Sequence, residues 1–198
     1  MTEGRRAVVE RKTKETEVRV SLVLDGTGKA AVDTGVGFFD HMLDQIARHG
    51  QLDLEVTCNG DTDIDQHHSV EDTGIVLGQA LRQALGDARG IRRYGHCLLP
   101  MDETLALAAL DLSGRPFLAF DAAFSRDKVG DFDTELVVEF WRALATNAGI
   151  TLHLKLLSGS NNHHMIEALF KAFARALDDA KQRDPRLGDA VPSTKGVL

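Results

Sequence analysis

Residues 67–71 read HHSVE and residues 163–167 read HHMIE, so one polar motif occurs twice with an offset of 96 positions (163 − 67). The segments before it also match, since LDLEV at 52–56 corresponds to ITLHL at 150–154. The matches occur in the same order in both halves, and their offsets change only across loops. Amphipathic patterning alone does not reproduce a histidine-rich motif, so the sequence predicts an internal duplication.

Apolar periodicity assigns the same elements to the two halves. Apolar residues spaced i, i+3, i+4 and i+7 predict a first helix in each half. They are Phe39, Met42, Leu43 and Ile46 in the first half and Val137, Phe140, Trp141 and Leu144 in the second. Strands are predicted at 17–24, 29–33 and 51–57, and again at 104–112, 115–120 and 150–157. The repeated motif opens a second helix at about 68–86 and 164–182, and Gly50 and Gly149 are expected to end the first helices.

Each half is therefore predicted to be a ββαβα-like unit, with room for one further short strand. Two such units form an α+β fold in which helices cover one face of each sheet. The first half-repeat is predicted at 1–90 and the second at 91–198, which includes a C-terminal phosphate-binding tail. Together the two halves are expected to form one compact domain.

Composition excludes several classes of protein. The chain has 30 acidic and 23 basic residues, a net charge of −7, and no block of Lys and Arg, which argues against nucleic-acid binding. No apolar run approaches the roughly 20 residues that cross a bilayer, and the first residues lack the apolar core of a signal peptide. The chain has two cysteines, Cys58 and Cys97, which lie 39 residues apart (97 − 58) and form no CxxC motif. This argues against a zinc ribbon or a disulfide-stabilised scaffold and is consistent with a reducing cytoplasm. We therefore expect a cytoplasmic protein without membrane or nucleic-acid partners.

The repeated HHxxE motif has the geometry of a metal site. On a helix, His67 and Glu71 share one face at spacing i, i+4, while His68 points about 100° away from His67. Adjacent histidines therefore serve two ions more easily than one. The second copy offers His163, His164 and Glu167 in the same arrangement.

The first helices add one candidate ligand to each motif. His41 and Glu139 occupy equivalent positions, 98 residues apart (139 − 41), beside the apolar stripe. With the two motifs they make eight nitrogen and oxygen ligands, or four for each of two ions. Such mixed ligands suit Mn²⁺ or Fe²⁺, with Zn²⁺ as an alternative.

Several cationic groups are candidates for binding an anionic substrate. They are Arg92, Arg93, Arg115, Lys171 and the STKG stretch at 193–196. Hydroxyl, amide and ammonium donors of such a stretch are able to surround a phosphate. The sequence contains no Walker A motif, no GxGxxG after a strand and no GxSxG elbow.

Taken together, these residues resemble the imidazoleglycerol-phosphate dehydratase family of histidine biosynthesis. The resemblance extends from Arg5 to Leu198 and is carried by GFFDHMLDQIARHG, DIDQHHSVEDTGIVLGQAL, GIRRYG, PMDETLA, DLSGRP, NNHHMIEALFKAFARAL and PSTKGVL. It implies two four-stranded sheets with helices on one face, a ribosomal protein S5 domain 2-like fold. It also implies a 24-subunit homo-oligomer with active sites between subunits.

The resemblance further implies two Mn²⁺ ions per chain. One ion would be bound by His41, His68, His163 and Glu167, and the other by His67, Glu71, Glu139 and His164. Position 139 departs from relatives that carry histidine there, although glutamate is also able to ligate Mn²⁺.

The implied reaction converts imidazole glycerol phosphate to imidazole acetol phosphate and water. Substrate contacts carried over from the family are Glu15, Gln45, Arg93, Arg115, Lys171, Ser193 and Lys195. Two cations on the substrate ring would favour its imidazolate, which expels the neighbouring hydroxyl. Glu15 is the expected acid/base residue, with Asp102 and Glu103 as the alternative.

Two other functions would use the same cluster of ligands. A two-metal phosphohydrolase would activate water there, and azoles would not compete at its metals as they would in a dehydratase. A non-catalytic scaffold assembled by metal would have no activity to lose when Glu15 is changed.

Overall fold

The computed structural model describes residues 4–196, so residues 1–3 and 197–198 of the predicted half-repeats, and the end of the PSTKGVL stretch, lie outside it. Its elements in chain order are β1 (Arg6–Lys12), β2 (Thr16–Val23), β3 (Ala30–Asp33), α1 (Gly37–Gly50), β4 (Asp53–Gly60), α2 (His67–Leu85), β5 (Tyr94–Met101), β6 (Thr104–Asp111), β7 (Phe117–Asp121), β8 (Lys128–Val129), β9 (Phe132–Asp133), α3 (Leu136–Ala148), β10 (Thr151–Ser158) and α4 (Asn162–Lys181). Among these helices, none is long and apolar enough to cross a membrane.

The strands form two four-stranded sheets of the same topology. Their orders are β1-β2-β4-β3 and β5-β6-β10-β7, and in each sheet the strand before the first helix pairs in parallel with the strand after it. The predicted α+β fold with two four-stranded sheets is therefore confirmed. The further strand that the sequence left open is the first of each sheet, β1 and β5, at the sheet edge.

The helices lie between the two sheets. Along β2 the residues Thr16, Val18, Val20 and Leu22 are buried and alternate with exposed or partly exposed ones, so one face of this sheet is covered. That face packs on α2, and the corresponding face of β5 and β6 packs on α4. Helix α2 also packs against α3, and α1 against α4, so helices of opposite halves join the molecule.

The first helices of the two halves end differently. Gly149 has a φ of +68° and ends α3, as the sequence predicts. In the first half the left-handed residue is Gln51, with a φ of +50°, and Gly50 is the last residue of α1, so the prediction for Gly50 is wrong by one residue. The Gln51 amide donates to the carbonyl of Ala47, which fixes this end without a glycine.

A short hairpin of β8 and β9 precedes α3 and has no counterpart among the described residues of the first half. Lys128 and Asp133 pair across it at 3.1 Å, and the Thr134 hydroxyl donates to the carbonyl of Arg126 at 2.9 Å. Strands of two residues are too short to show periodicity, so the sequence did not predict the hairpin.

Candidate metal centre

Three predicted ligands converge where α1 packs against α4. His163 Nε2 lies 2.9 Å from Glu167 Oε2, and His41 Nε2 lies 3.4 Å from the same oxygen. One ligand atom from each of the three residues lies within 4.8 Å of the others. His41 comes from the first half and the other two from the second, so the group depends on the packing of the halves.

The carboxylate of this group is buried and ionised. Burial alone would raise the pKa of Glu167, but the hydrogen bond and charge of Lys171, whose Nζ lies 2.6 Å from Oε1, hold that pKa below its ordinary value. Two imidazole nitrogens and one carboxylate oxygen are ligands suited to Mn²⁺, Fe²⁺ or Zn²⁺. The donor set therefore fits the divalent cation that the sequence predicts.

A second, smaller group lies at the start of α2. His67 Nε2 is 3.7 Å from Glu71 Oε2, and both side chains are partly exposed. In the second half of the chain the equivalent pair is His163 and Glu167. Glu139, predicted to join it, lies on α3 and pairs instead with Arg142.

The second histidine of each motif is bonded to a carboxylate on a neighbouring loop. His68 Nδ1 lies 3.0 Å from Asp61 Oδ2, and His164 Nδ1 lies 2.8 Å from Glu103 Oε2. The hydrogen bonds that the two imidazoles donate to these carboxylates raise the pKa of both histidines, against the smaller opposing effect of burial. The sequence did not assign this role to Asp61 or Glu103, because the bonds join residues in different elements.

Glu15 lies in the turn between β1 and β2, close to His68. Its Oε2 is 3.7 Å from His68 Nε2, and its side chain is about half exposed. The backbone of the turn is held at both ends, since the Glu15 amide donates to Thr13 Oγ1 at 3.1 Å and the Glu15 carbonyl accepts from the Asp61 amide at 3.1 Å. The carboxylate therefore faces the motif from a fixed backbone.

The predicted anion-binding residues lie in two places. Arg93 makes two hydrogen bonds to Asp111, at 2.7 and 3.0 Å, and donates to the Pro192 carbonyl at 2.8 Å, which brings the tail beside it. The Asp111 hydrogen bonds raise the pKa of Arg93. Arg115 is mostly exposed and lies 3.6 Å from Asp111.

The tail and the helices carry the remaining predicted contacts. Ser193 Oγ accepts from the Lys195 amide at 3.2 Å, so the two residues share one turn next to Arg93. On α1, the side-chain amide of Gln45 donates to the backbone carbonyl of His41 at 3.3 Å. On α4, the Lys171 ammonium pairs with the Glu167 carboxylate. Within residues 4–196 no hydrogen bond or ion pair joins the Arg93 group to the His41 group.

Neither predicted set of four ligands is complete in one chain. Across the described part of the molecule, only His41, His163 and Glu167 form a group of three potential ligands. His68, predicted to complete it, contacts Asp61 and Glu15 instead. The remaining members stay in separate places, at the starts of α2 and α4 and on α3.

Comparison with known proteins gives one consistent result. A family model described as imidazoleglycerol-phosphate dehydratase matches residues 34–177. The chain is 69% identical over 191 residues to a protein of that name from Symbiobacterium thermophilum, covering 96% of this chain and 91% of the relative. It is 60% identical over 194 residues to one from Acetivibrio thermocellus, covering 98% of this chain and 99% of the relative.

Solved structures give the same result. The crystal structure of imidazoleglycerol-phosphate dehydratase from Staphylococcus aureus matches with a TM-score of 0.81 at 44% identity, covering 90% of this chain and 100% of that one. The enzyme from Pyrococcus furiosus matches with a TM-score of 0.82 at 37% identity, covering 96% of this chain and 100% of that one.

Proposed function

The chain belongs to the imidazoleglycerol-phosphate dehydratase family and is a lyase of histidine biosynthesis, and from this premise we propose that it works with two Mn²⁺ ions bound by its two motifs. The observation that carries the proposal is the convergence of His41, His163 and Glu167. When bound, the ions would supply positive charge that lowers the pKa of the substrate's ring nitrogens.

The first ion is assigned to His41, His163 and Glu167, and the second to the pair of His67 and Glu71. His68 completes the first set, and Glu139 with His164 the second, as the family resemblance implies. Glu139 would have to leave Arg142, an exposed neighbour on the same helix whose ion pair is weak and screened by solvent.

Glu15 is the residue proposed to move protons. The reaction removes a hydroxyl from the carbon next to the ring and a proton from the following carbon, and the resulting enol becomes a ketone. Glu15 would accept the proton from carbon and return one during loss of water. Its place beside His68, on a turn held by Thr13 and Asp61, supports this role.

The phosphate of the substrate is assigned to the basic group around Asp111 and the tail. Arg115 and Lys195 are the exposed cations there, and Ser193 adds a hydroxyl. Arg93 is already engaged by Asp111 and Pro192, so its contribution would be to hold the tail in place. Because the phosphate is remote from the bond that breaks, its binding would orient the reacting atoms.

A second copy of the chain is proposed to complete the ligand sets, within the 24-subunit assembly that the resemblance implies. The separation of His68 from the His41 group supports this, because one chain brings only three ligands together. The outer face of the second sheet supports association as well, since Leu98 and Phe117 are both more than half exposed on it. The assembly is expected to work in the cytoplasm.

The experiment is a metal and substrate assay on purified protein. Protein stripped of metal should lose the ability to dehydrate imidazole glycerol phosphate and regain it with about two Mn²⁺ per chain. A small azole should inhibit in competition with the substrate, because it offers the same ring nitrogens. Full activity with one ion or none, or no competition by azoles, would contradict the proposed site.

A further inference from the structure

Glu15 and Glu103 occupy equivalent positions in the two halves. Glu15 directly precedes β2 and Glu103 directly precedes β6, 88 residues later (103 − 15), so each glutamate lies in the hairpin turn between the first two strands of its sheet. Despite this equivalence, the two carboxylates have different partners.

In the second half the hairpin glutamate is fully engaged. Glu103 Oε2 lies 2.8 Å from His164 Nδ1. Its Oε1 accepts hydrogen bonds from the amides of Ser160 and Asn161, at 3.2 and 2.8 Å. The carboxylate is therefore fixed between the loop before α4 and the histidine on that helix.

In the first half another carboxylate takes this place. His68 Nδ1 faces both oxygens of Asp61, at 3.0 and 3.1 Å, and Glu15 lies by the other ring nitrogen, 3.7 Å from Nε2. The loop before α2 is two residues longer than its counterpart, since the offset falls from 98 to 96 across it. Asp61 is the first residue of this longer loop. Its counterpart in the second half, 98 positions later, is Gly159, which has no carboxylate.

The bond to Nδ1 determines which nitrogen of the ring is able to bind a cation. An ionised carboxylate only accepts hydrogen bonds, so Nδ1 must carry the proton. Nε2 then presents its lone pair, and the hydrogen bond holds the ring at one orientation.

We propose that Asp61 and Glu103 are positioning residues that hold His68 and His164 with Nε2 available to the metal, and that Asp61 thereby leaves Glu15 available for proton transfer. The inference rests on the proposed metal binding. It also assigns Glu103 to ligand positioning and removes it as an alternative acid/base residue.

Asp61→Ala and Glu103→Gln test this assignment. Alanine removes both oxygens that face His68 Nδ1. In Glu103→Gln the amide oxygen stays on the backbone amides of Ser160 and Asn161, so the NH₂ group faces His164 Nδ1 and cannot accept its proton. Titration of the stripped variants with Mn²⁺, followed by the electron paramagnetic resonance of the free ion, should show one class of site weakened about 10–100-fold. Excess Mn²⁺ should restore turnover to both variants and should not restore it to Glu15→Gln.

Two matched controls each remove one nearby carboxylate charge and keep the hydrogen bonds to His68 Nδ1 and His164 Nδ1. Asp63→Ala changes an exposed carboxylate of the loop that carries Asp61. Asp102→Asn changes the neighbour of Glu103, whose Oδ2 lies 3.9 Å from His164 Nδ1 and whose side chain is mostly exposed. Both should bind Mn²⁺ within about fivefold of the unaltered protein, because an exposed ion pair contributes little.

The outcomes separate this inference from the proposed function. Unchanged Mn²⁺ affinity in Asp61→Ala and Glu103→Gln, or lost turnover that excess Mn²⁺ does not restore, would overturn the positioning role while the two-metal proposal stands. Failure of the unaltered protein to bind Mn²⁺ would instead overturn the proposed cofactor, and the positioning role with it.

Discussion

At the scale of single residues, each HHxxE motif divides its two histidines between two directions. His67 and His163 face the glutamate one turn further along their own helix, whereas His68 and His164 reach carboxylates on loops. The two rings of each motif are nearly perpendicular, with centroids 6.0 and 6.2 Å apart. Adjacent side chains on a helix diverge by about 100°, which is the geometry that the proposal of two sites for each motif requires.

Glu15→Gln tests the chemistry apart from the binding. Glutamine is nearly isosteric and keeps the backbone bonds of the turn, but it cannot accept or return a proton. We expect kcat to fall by about 10²–10⁴-fold with little change in KM, in Mn²⁺ content or in thermal unfolding. Steady-state kinetics and metal analysis measure these quantities; near-normal kcat would remove Glu15 from the acid/base role.

Asp72 is a buried carboxylate that connects α2 to the hairpin that carries Glu15. The Thr16 hydroxyl donates to its Oδ2, and Arg11 Nη1 lies 2.5 Å from the same oxygen. Asp72 directly follows Glu71, so it joins a predicted metal ligand to the turn beside Glu15.

Asp72→Asn should weaken this connection. Arg11 would lose its charged partner, so the free energy of unfolding should fall by about 1.5–3 kcal/mol, as measured by denaturant titration. Glu17→Gln, which alters an exposed ion pair with Lys12, is the control and should change stability by no more than about 0.5 kcal/mol. Equal losses of stability in the two variants would show that the buried contacts of Asp72 stabilise the fold no more than an exposed ion pair does.

At the scale of elements, glycines allow the helices of the two halves to approach closely. A Cβ at Gly78 of α2 would lie 2.7 Å from the Leu144 carbonyl oxygen and 2.9 Å from the Asn147 Cβ on α3. One turn earlier, a Cβ at Gly74 would lie 2.9 Å from the Phe140 carbonyl oxygen. Backbone atoms cannot move away as a flexible side chain does, so these glycines set the distance between α2 and α3.

Gly78→Ala should therefore destabilise the protein although alanine favours helices. The clash should cost about 1–3 kcal/mol, which exceeds the roughly 1 kcal/mol gained in helix propensity. Gly37→Ala at the start of α1 is the control, because a Cβ there has no neighbour within 4 Å, and it should raise stability by up to about 1 kcal/mol. Thermal unfolding of both variants measures the difference, and a stabilised Gly78→Ala would show that α3 yields to the added carbon.

At the scale of the whole molecule, the four helices are covered by two sheets whose other faces remain open. The open face of the second sheet is apolar in part, with Leu98 paired to Leu107 across the strands and Phe117 at the edge. The proposed ligand groups, in contrast, lie near helix starts. If a second copy completes them, as proposed, sheet contacts and metal contacts are separate ways to join subunits.

Metal removal should accordingly reduce the assembly without unfolding the chain. If subunits share the ions, a chelator removes their contribution to association, and the mass from light scattering should fall to a smaller oligomer. Circular dichroism should remain that of the folded protein, because the core contains none of the proposed ligands except Glu167. An unchanged mass would show that the sites close within one chain or that the apolar contacts suffice.

The sequence by itself determined the features that depend on neighbouring residues and on repetition. The duplication, the four helices and the pairing of each first histidine with a glutamate four residues later all follow from patterns within one helix or between two copies. The sequence allowed for one further strand in each half without placing it, and the structure shows it as the edge strands β1 and β5. The hairpin of β8 and β9 was not predicted, because strands of two residues are too short to show periodicity.

Only the tertiary structure decided which of these residues meet. His41 and Glu167 are 126 positions apart and come together because α1 packs on α4. The hydrogen bonds of Asp61 to His68 and of Glu103 to His164 also depend on tertiary structure, because loops of different length place the two carboxylates. Arg93 likewise finds its partners, Asp111 and the Pro192 carbonyl, only in the folded chain. Such contacts arise from packing between elements, and no local propensity of the chain encodes them.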